Sequence, residues 1–388
     1  MSTHADLPLA GVVVVELGDS ASAPFAGKIL AEFGAEVWKI ERPTGDSSRG
    51  WGPSEWQGDG AAFHALNRGK KLIRLDIKQK ADLDTLYEMI QKRADVFLHN
   101  LRPGSAGGYG LDAESLRVLK PELIYAEVGA FGNVGPLAAE PGYDPLMQAF
   151  SGIMSITGER DGSPVRAGVS IVDFGTGMWS ALGILAALHR RDVTQIGSTV
   201  SASLLETAIA WMSVGVAGYG ADGNPGERHG SGIAFIVPHR AFRVADGDLI
   251  VSCANDALYA KLCEALGRSE WAADERFVTN QDRLRHRGEL EELIGSVMIE
   301  HPRAYWQQRF SEFGVANAPI QTTDELVAHE QTKALGIIAP APDDTLPIVG
   351  SPVSFDGRRP PAAAGVGEVG RDDDQLDAFL GRVPTSSV

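Results

Sequence analysis

The residue best placed to do chemistry in this sequence is Asp173. It stands in "GVSIVDFGTG", between an apolar run (Val169, Ile171, Val172) and an expected small-residue turn (Gly175, Thr176, Gly177) that opens into a strongly apolar, helix-like segment running to about Leu188. A carboxylate there has two readings. As an N-cap, it accepts the free backbone N–H groups at the start of that helix. As a reactive group, it sits at a strand-to-helix junction, where functional side chains are often placed. With an ordinary pKa of about 3.9 it is ionised at neutral pH, and a helix N-terminus would hold it so. The residues alone leave cap and catalyst both open.

The second constellation is basic. Lys39, Arg42, Arg68, Lys70, Lys71, Lys78 and Arg102 fall at or just after expected strand ends, and in a parallel sheet those ends share the edge where ligands bind. The chain as a whole is acidic, with 35 Lys and Arg against 51 Asp and Glu and a net charge of −16. A basic rim on such a chain suits a small polyanionic ligand and disfavours nucleic acid or an anionic membrane surface. The first turn, "ELGDSASAP", has no GxGxxG, and Walker A, HExxH and GxSxG patterns are missing. The two cysteines, Cys253 and Cys263, have no CxxC spacing, so neither a disulfide framework nor a cysteine zinc site is expected. No metal centre is expected. The N-terminus lacks a basic-then-apolar leader and no run of about 18 apolar residues occurs, so the expected location is the cytoplasm.

The elements that must position these groups alternate. "GVVVVEL" (11–17) reads as a strand buried on both faces. A helix follows, with Asp19, Ser20 or Ser22 as candidate caps, Pro24 near its first position and Gly34 as its stop. "EVWKI" (36–40) closes a βαβ unit. The pattern repeats with strands at 72–77, 95–99 and 123–128, and a helix on which Leu83, Leu86, Tyr87, Ile90 and Ala94 share a face. This predicts an α/β fold with a parallel, Rossmann-like sheet. Glycine and proline cluster at 219–238, a candidate boundary. Beyond it, β-like runs flank Asp246 and Gly247 as a hairpin, and helices are expected at 256–267, 282–300 and 302–313. The proline- and glycine-rich "RRPPAAAGVGEVG" near the end is expected on the surface.

Five blocks, in order, change what can be said: "LAGVVVVELGDSASAPFAGKILAEFGAEVWKIERPTGD", "NRGKKLIRLDIK", "ADVFLHNLRPG", "AEVGAFGNVGPLAAEPGYDPLMQAFSG" and "HRAFRVADGD". Together they resemble the class III CoA-transferase family, the group of formyl-CoA transferase and carnitine CoA-transferase, over nearly the whole chain. The resemblance implies a large α/β domain whose first part spans residues 1–220, a smaller α+β domain at 225–315, and a segment, 316–388, that returns to the large domain. It also implies an interlocked homodimer. The ligand implied is coenzyme A, as an acyl-CoA substrate and not a permanently bound cofactor, with an acyl-CoA donor and a carboxylic acid acceptor as partners. By position, the CoA contacts fall on Arg42, on Leu75, Asp76, Ile77 and Lys78, and on Asn100, with Arg102 beside them. Two departures stand out: a basic contact after the asparagine meets Gly108, and a first-turn glutamine meets Ala21.

The resemblance also implies that Asp173 is the nucleophile. Moving CoA between acids needs a group that takes the acyl unit as a mixed anhydride and then carries CoA as a thioester, and a carboxylate does both because its own acyl carbon becomes the electrophile. "RHGSGIA" (228–234) resembles the family's glycine-rich loop, in which Gly230 and Gly232 would let backbone N–H groups cover the intermediate; the alternative is an interdomain linker. The same family includes α-methylacyl-CoA racemases, which pair the aspartate with a histidine in "GHD". Here "PGYDPLMQ" puts Tyr143 in that place, and a phenol with a pKa near 10 is a poor α-proton partner. Transfer is therefore the expected chemistry, with racemisation and CoA binding without turnover as alternatives. Asp144, in the same motif, would either orient the site or cap a helix.

Overall fold

The β-branched run after Gly11 forms β1 (Val13–Leu17), and the computed structural model, which describes residues 6–382, builds a sheet outward from it in both directions. The other strands are β2 (Glu36–Glu41), β3 (Lys71–Arg74), β4 (Val96–His99), β5 (Ile124–Gly129) and β6 (Thr199–Ser203). Their order is β3-β2-β1-β4-β5-β6, and every neighbouring pair is parallel. The order reverses between β1 and β4, so the crevice outside their C-terminal ends is the switch point at which doubly wound sheets take ligands.

Apolar residues on both faces explain the burial. Val14, Val37, Val96, Leu98 and Ile124 pack against helices on one side, and Val15, Trp38, Ile73, Phe97 and Tyr125 form the core of the other. Two helices on the first face matter for the site: α1 (Ser22–Glu32), directly after β1, and the long α3 (Ile171–Thr194). Between them in sequence lies the short α2 (Asp144–Phe150), and after β6 comes α4 (Leu204–Trp211). Helix α3 is long and apolar enough to cross a membrane by length and composition. Its buried face, including Val172, Ala181 and Ile184, belongs to the core.

One compact unit comprises the chain up to Ser151, Gly168–Ser213 and the chain from Glu330 on. Its late segment is tied to the sheet edge: Leu72 N–H donates to the Asp372 carboxylate at 2.9 Å, Arg74 N–H donates to Asp373 at 2.8 Å, and Phe379 stacks on Trp38 at 4.1 Å. This satisfies the open side of β3. The "AAAGVGEVG" stretch is not simply surface, because Ala363 and Val366 are buried and Val366 packs on Phe63 and Leu72.

The other unit, Gly152–Ala167 with Val214–His329, holds a three-stranded antiparallel sheet of His239–Val244, Gly247–Ser252 and Ala316–Pro319. The hairpin turns at Ala245 and Asp246, pairing Gly247 with Val244. Helices Asp256–Ala265 and Arg303–Phe313 match their expected spans. The expected helix 282–300 is instead two, Asn280–Arg285 and Arg287–Met298, separated at His286, whose backbone leaves the helical region. Cys253 and Cys263 are buried in this core, and burial pushes their thiols up to about 12 and about 11, so both are unreactive.

Candidate active site

Helix α3 begins earlier than the sequence suggests. Ser170 is its N-cap residue and Ile171 its first helical residue, which makes Asp173 the third. Asp173 is therefore not the cap. Gly175, Thr176 and Gly177 are not a turn either; they lie inside the helix, where small size lets neighbours close in. A Cβ on Gly175 would meet Trp211 at 2.7 Å, and one on Gly177 would meet the Ser22 carbonyl oxygen at 2.7 Å. The glycines allow α4 and α1 to approach on either side of the turn that carries Asp173.

The cap comes from another helix. Asp144 is the first residue of α2 and only 2% exposed. Its Oδ2 accepts from Val172 N–H at 2.8 Å and Asp173 N–H at 3.2 Å, while Oδ1 accepts from Gln148 Nε2 at 2.6 Å. A carboxylate on the first turn of α3 satisfies orphan donors and opposes the positive end of its dipole. The two alternatives for Asp144 thus merge, since by capping α3 it fixes the backbone on which Asp173 rides.

Asp173 itself is part-buried, and its Oδ1 accepts a hydrogen bond of 2.5 Å from Ser22 Oγ. Among the described residues, Oδ2 has no hydrogen-bond partner. Burial pushes the carboxyl up to about 6 against the pull of the Ser22 hydroxyl, and the nearby Asp144 charge adds to the rise. The carboxyl therefore sits above its ordinary value, because desolvation outweighs the dipole, yet at about 6 it is still mainly ionised at neutral pH, as expected from the sequence. Phe25 and Phe174, with ring centroids 4.8 Å apart, close one flank.

Ser22 is 5% exposed and is the first residue of α1. None of Asp19, Ser20 and Ser22 caps that helix; Ala21 occupies the N-cap position without a side-chain bond. The hydroxyl is free for Asp173 because the loop before it is held by other groups. Lys39 Nζ donates to the Gly18 carbonyl at 2.7 Å, and Ser20 N–H donates to Asp46 at 3.2 Å. Asn100 bridges the switch point, its Nδ2 donating to the Asp19 carbonyl at 2.7 Å and its Oδ1 accepting from Asp19 N–H at 2.9 Å.

Behind the loop is a charge cluster sealed from water. Glu16 pairs with Lys39 at 3.2 Å and Lys70 at 2.7 Å, and Lys39 pairs with Asp46 at 2.7 Å; Glu16, Lys39 and Lys70 are almost wholly inaccessible. Burial alone would lower the pKa of Lys39, yet Glu16 and Asp46 hold it above its ordinary value, while burial pushes Lys70 down to about 8. Gly27 is required here, because a Cβ would stand 1.8 Å from Glu16 Oε2.

This corrects the basic rim. Lys39 and Lys70 are internal, Arg68 is buried with its guanidinium donating to the Ala339 carbonyl, and Lys71 begins β3 and pairs with Asp372. Arg42, Lys78 and Arg102 remain exposed beyond the C-terminal ends of β2, β3 and β4. Arg42 pairs with Asp19 at 2.8 Å. Strand β3 ends at Arg74, short of the expected 77, so Leu75, Asp76, Ile77 and Lys78 form the following turn. Leu75 is buried and donates its N–H to Glu41 O, Asp76 accepts from Lys78 N–H at 3.1 Å, and Ile77 is half-buried. Beneath Asn100, His99 accepts from Leu101 N–H through Nδ1, so its Nε2 carries the proton and donates to Tyr125 Oη at 2.6 Å. Burial pushes His99 down to about 4, keeping it neutral.

Tyr143 precedes α2 and is 66% exposed. Gly230 and Gly232 belong to the other compact unit. Gly230 has φ of +60°, donates to the Gly158 carbonyl at 2.9 Å, and leaves no room for a Cβ beside Glu159; Gly232 donates to the His229 carbonyl at 2.9 Å. Among the described residues no group of three His, Cys, Asp or Glu side chains could hold a metal ion.

Fold and site are those of an α/β protein that presents a part-buried carboxylate beside the switch point of a parallel sheet. The pattern of CoA-transferase family III matches residues 9–372, and the chain belongs to that family. Among its relatives, a succinate–glutarate CoA-transferase of Agrobacterium fabrum is 37% identical over 337 residues, covering 85% of this chain and 84% of the relative. An acetyl-CoA:oxalate CoA-transferase of Acetobacter aceti is 34% identical over 353 residues, covering 90% of each chain. A crystal structure of a CAIB/BAIF family protein from Brucella suis superimposes with a TM-score of 0.89 at 33% identity, covering 96% of this chain and 99% of that one.

Proposed function

We propose that this enzyme moves CoA between two carboxylic acids through covalent intermediates on Asp173. The observation that carries the reading is the Asp173 carboxylate itself, with Oδ1 engaged by Ser22 and Oδ2 without a hydrogen-bond partner among the described residues. Oδ2 attacks the acyl-CoA carbonyl, forming a mixed anhydride and releasing the CoA thiolate. The thiolate then attacks Cγ of Asp173, which forms the aspartyl thioester and releases the donor acid as its carboxylate. The acceptor carboxylate attacks the thioester, CoA leaves again as thiolate, and its attack on the acceptor carbonyl gives the new acyl-CoA and free Asp173. Each covalent bond broken is matched by one formed, with no outside reactant. A pKa of about 6 keeps the carboxylate mainly ionised at neutral pH yet more basic than an exposed aspartate, which favours nucleophilic attack.

CoA is a substrate here, received along the edge bearing Arg42, Leu75, Asp76, Ile77, Lys78, Asn100 and Arg102. At least one of the two acids is a dicarboxylate, as in the relatives named for succinate, glutarate and oxalate. Tyr143 borders the site. Two copies assemble as an interlocked homodimer: the mutually packed helices α2, α3 and α4 expose Leu146, Phe150, Met178, Trp179, Leu182, Ile209 and Trp211, an apolar face suited to a partner. The compartment proposed is the cytoplasm.

The test is incubation with succinyl-CoA and glutarate or oxalate. A new CoA thioester is expected from the wild type and none from Asp173→Ala or Asp173→Asn, which still bind CoA. Near-normal turnover by Asp173→Ala would sink the mechanism.

A further inference from the structure

Two of the steps above put negative charge on an atom the structure singles out. When the CoA thiolate attacks the anhydride at Cγ, the S–Cγ bond forms as the carbonyl π electrons move onto Oδ1; collapse restores the carbonyl and breaks the Cγ–Oδ2 bond. When the acceptor carboxylate attacks the thioester, the charge again lands on the same oxygen, and collapse breaks the S–Cγ bond. In both cases an oxyanion appears on the oxygen not used in the first attack. In this structure that oxygen is Oδ1, and a donor already points at it.

We infer that Ser22 is a catalytic residue whose hydroxyl stabilises the oxyanion formed on Asp173 Oδ1 each time Cγ is attacked; the inference rests on the anhydride–thioester reading. The hydroxyl lies 2.5 Å from Oδ1. The nearest backbone donors cannot take this role, because the N–H groups of Val172 and Asp173 are held by Asp144. Ser22 is also preorganised. It is the first residue of an 11-residue helix, nearly inaccessible, and its carbonyl lies against Gly177 on the helix bearing Asp173. A donor fixed at the developing charge, without reorganisation at the moment of reaction, is the arrangement that lowers such barriers. In the resting enzyme the same bond reserves Oδ1 and leaves Oδ2 to attack, so one hydroxyl chooses the nucleophilic oxygen and then serves the electrophilic carbon.

The test compares Ser22→Ala and Ser22→Thr with the wild type, using succinyl-CoA as the probe and mass spectrometry to follow the CoA adduct on Asp173. Ser22→Ala is expected to slow adduct formation and kcat on the order of 10²-fold, the loss typical of one oxyanion donor, with the KM for succinyl-CoA little changed. Its acid limb in the pH–rate profile should move to higher pH, since a bond favouring the ionised carboxylate is gone. Ser22→Thr keeps the hydroxyl and should recover most of the rate, which a merely structural serine would not require. Adduct formation by Ser22→Ala within twofold of wild type overturns the inference, as does equal slowing in both variants with equal loss of melting temperature. Either result leaves the nucleophile intact. Failure of the underlying reading looks different: no adduct on wild-type Asp173, and turnover that survives Asp173→Asn.

Discussion

Asp173→Asn, the substitution expected to stop transfer, is also expected to stabilise the fold. The carboxyl moves from an ordinary 3.8 to about 6 on folding, because burial disfavours its ionised form. A folded-state pKa above the unfolded value means that the native state binds the proton more tightly. Relative stability is then greatest below about 3.8, falls as pH rises, and levels above about 6. The rise is roughly two pKa units, so ionised Asp173 costs the native state about 3 kcal/mol at pH 7 and above, and about 1.5 kcal/mol at pH 5. Asparagine carries no such charge and keeps an oxygen acceptor for Ser22. Urea or thermal unfolding of both proteins, measured from pH 5 to pH 8, should show a variant advantage that grows by about 1.5 kcal/mol across that interval. Only the difference between the two proteins matters, so other titrating groups cancel. A variant no more stable than wild type at pH 8, or an advantage that does not change with pH, would refute the account of Asp173 as a charge held against desolvation.

Asp144→Ala should lower stability by about 2 to 4 kcal/mol, since two backbone donors at the start of α3 lose a charged acceptor, whereas Asp144→Asn should lose less; denaturant midpoints check both. Because the Asp144 charge adds to the rise at Asp173, Asp144→Asn should also move the acid limb of the pH–rate profile to lower pH. Gly177→Ala puts a methyl 2.7 Å from the Ser22 carbonyl. It should cost about 1 to 3 kcal/mol by overpacking and reduce turnover on the order of 10²-fold by moving Ser22 off Asp173; unchanged kcat would show that the α1–α3 spacing does not set the site.

The strands that frame the site were legible because buried parallel strands are written as continuous apolar runs, as in "GVVVVEL". Strand β6, "TVSAS", was not, since its small polar residues carry no such run. Asp173 stood out through its contrast with apolar neighbours. What the pattern could not reveal was who holds it. Ser22 reads as one of several capping candidates in "DSASAP", and only the meeting of two helices 151 positions apart gives its hydroxyl a partner. Asp144 was visible as a motif residue, but its cap acts across 28 positions, beyond any local spacing rule. The lysines misled for a related reason. Charge at strand ends normally means exposure, and Lys39 and Lys70 escape that rule because Glu16 and Asp46 pair with them inside the fold.

That sealed cluster also constrains how the sequence can drift. Neutralising Glu16, Lys39 or Lys70 singly strands an opposite charge away from water, at about 3 to 5 kcal/mol, and Gly27 has no space for any side chain at all. Change at these positions must be concerted or be rejected. Ser22, held in place by the cluster but contributing no charge to it, can be exchanged singly without stranding a charge. The scaffold beneath the site thus resists single substitutions through stability, while the hydroxyl it presents is constrained through rate.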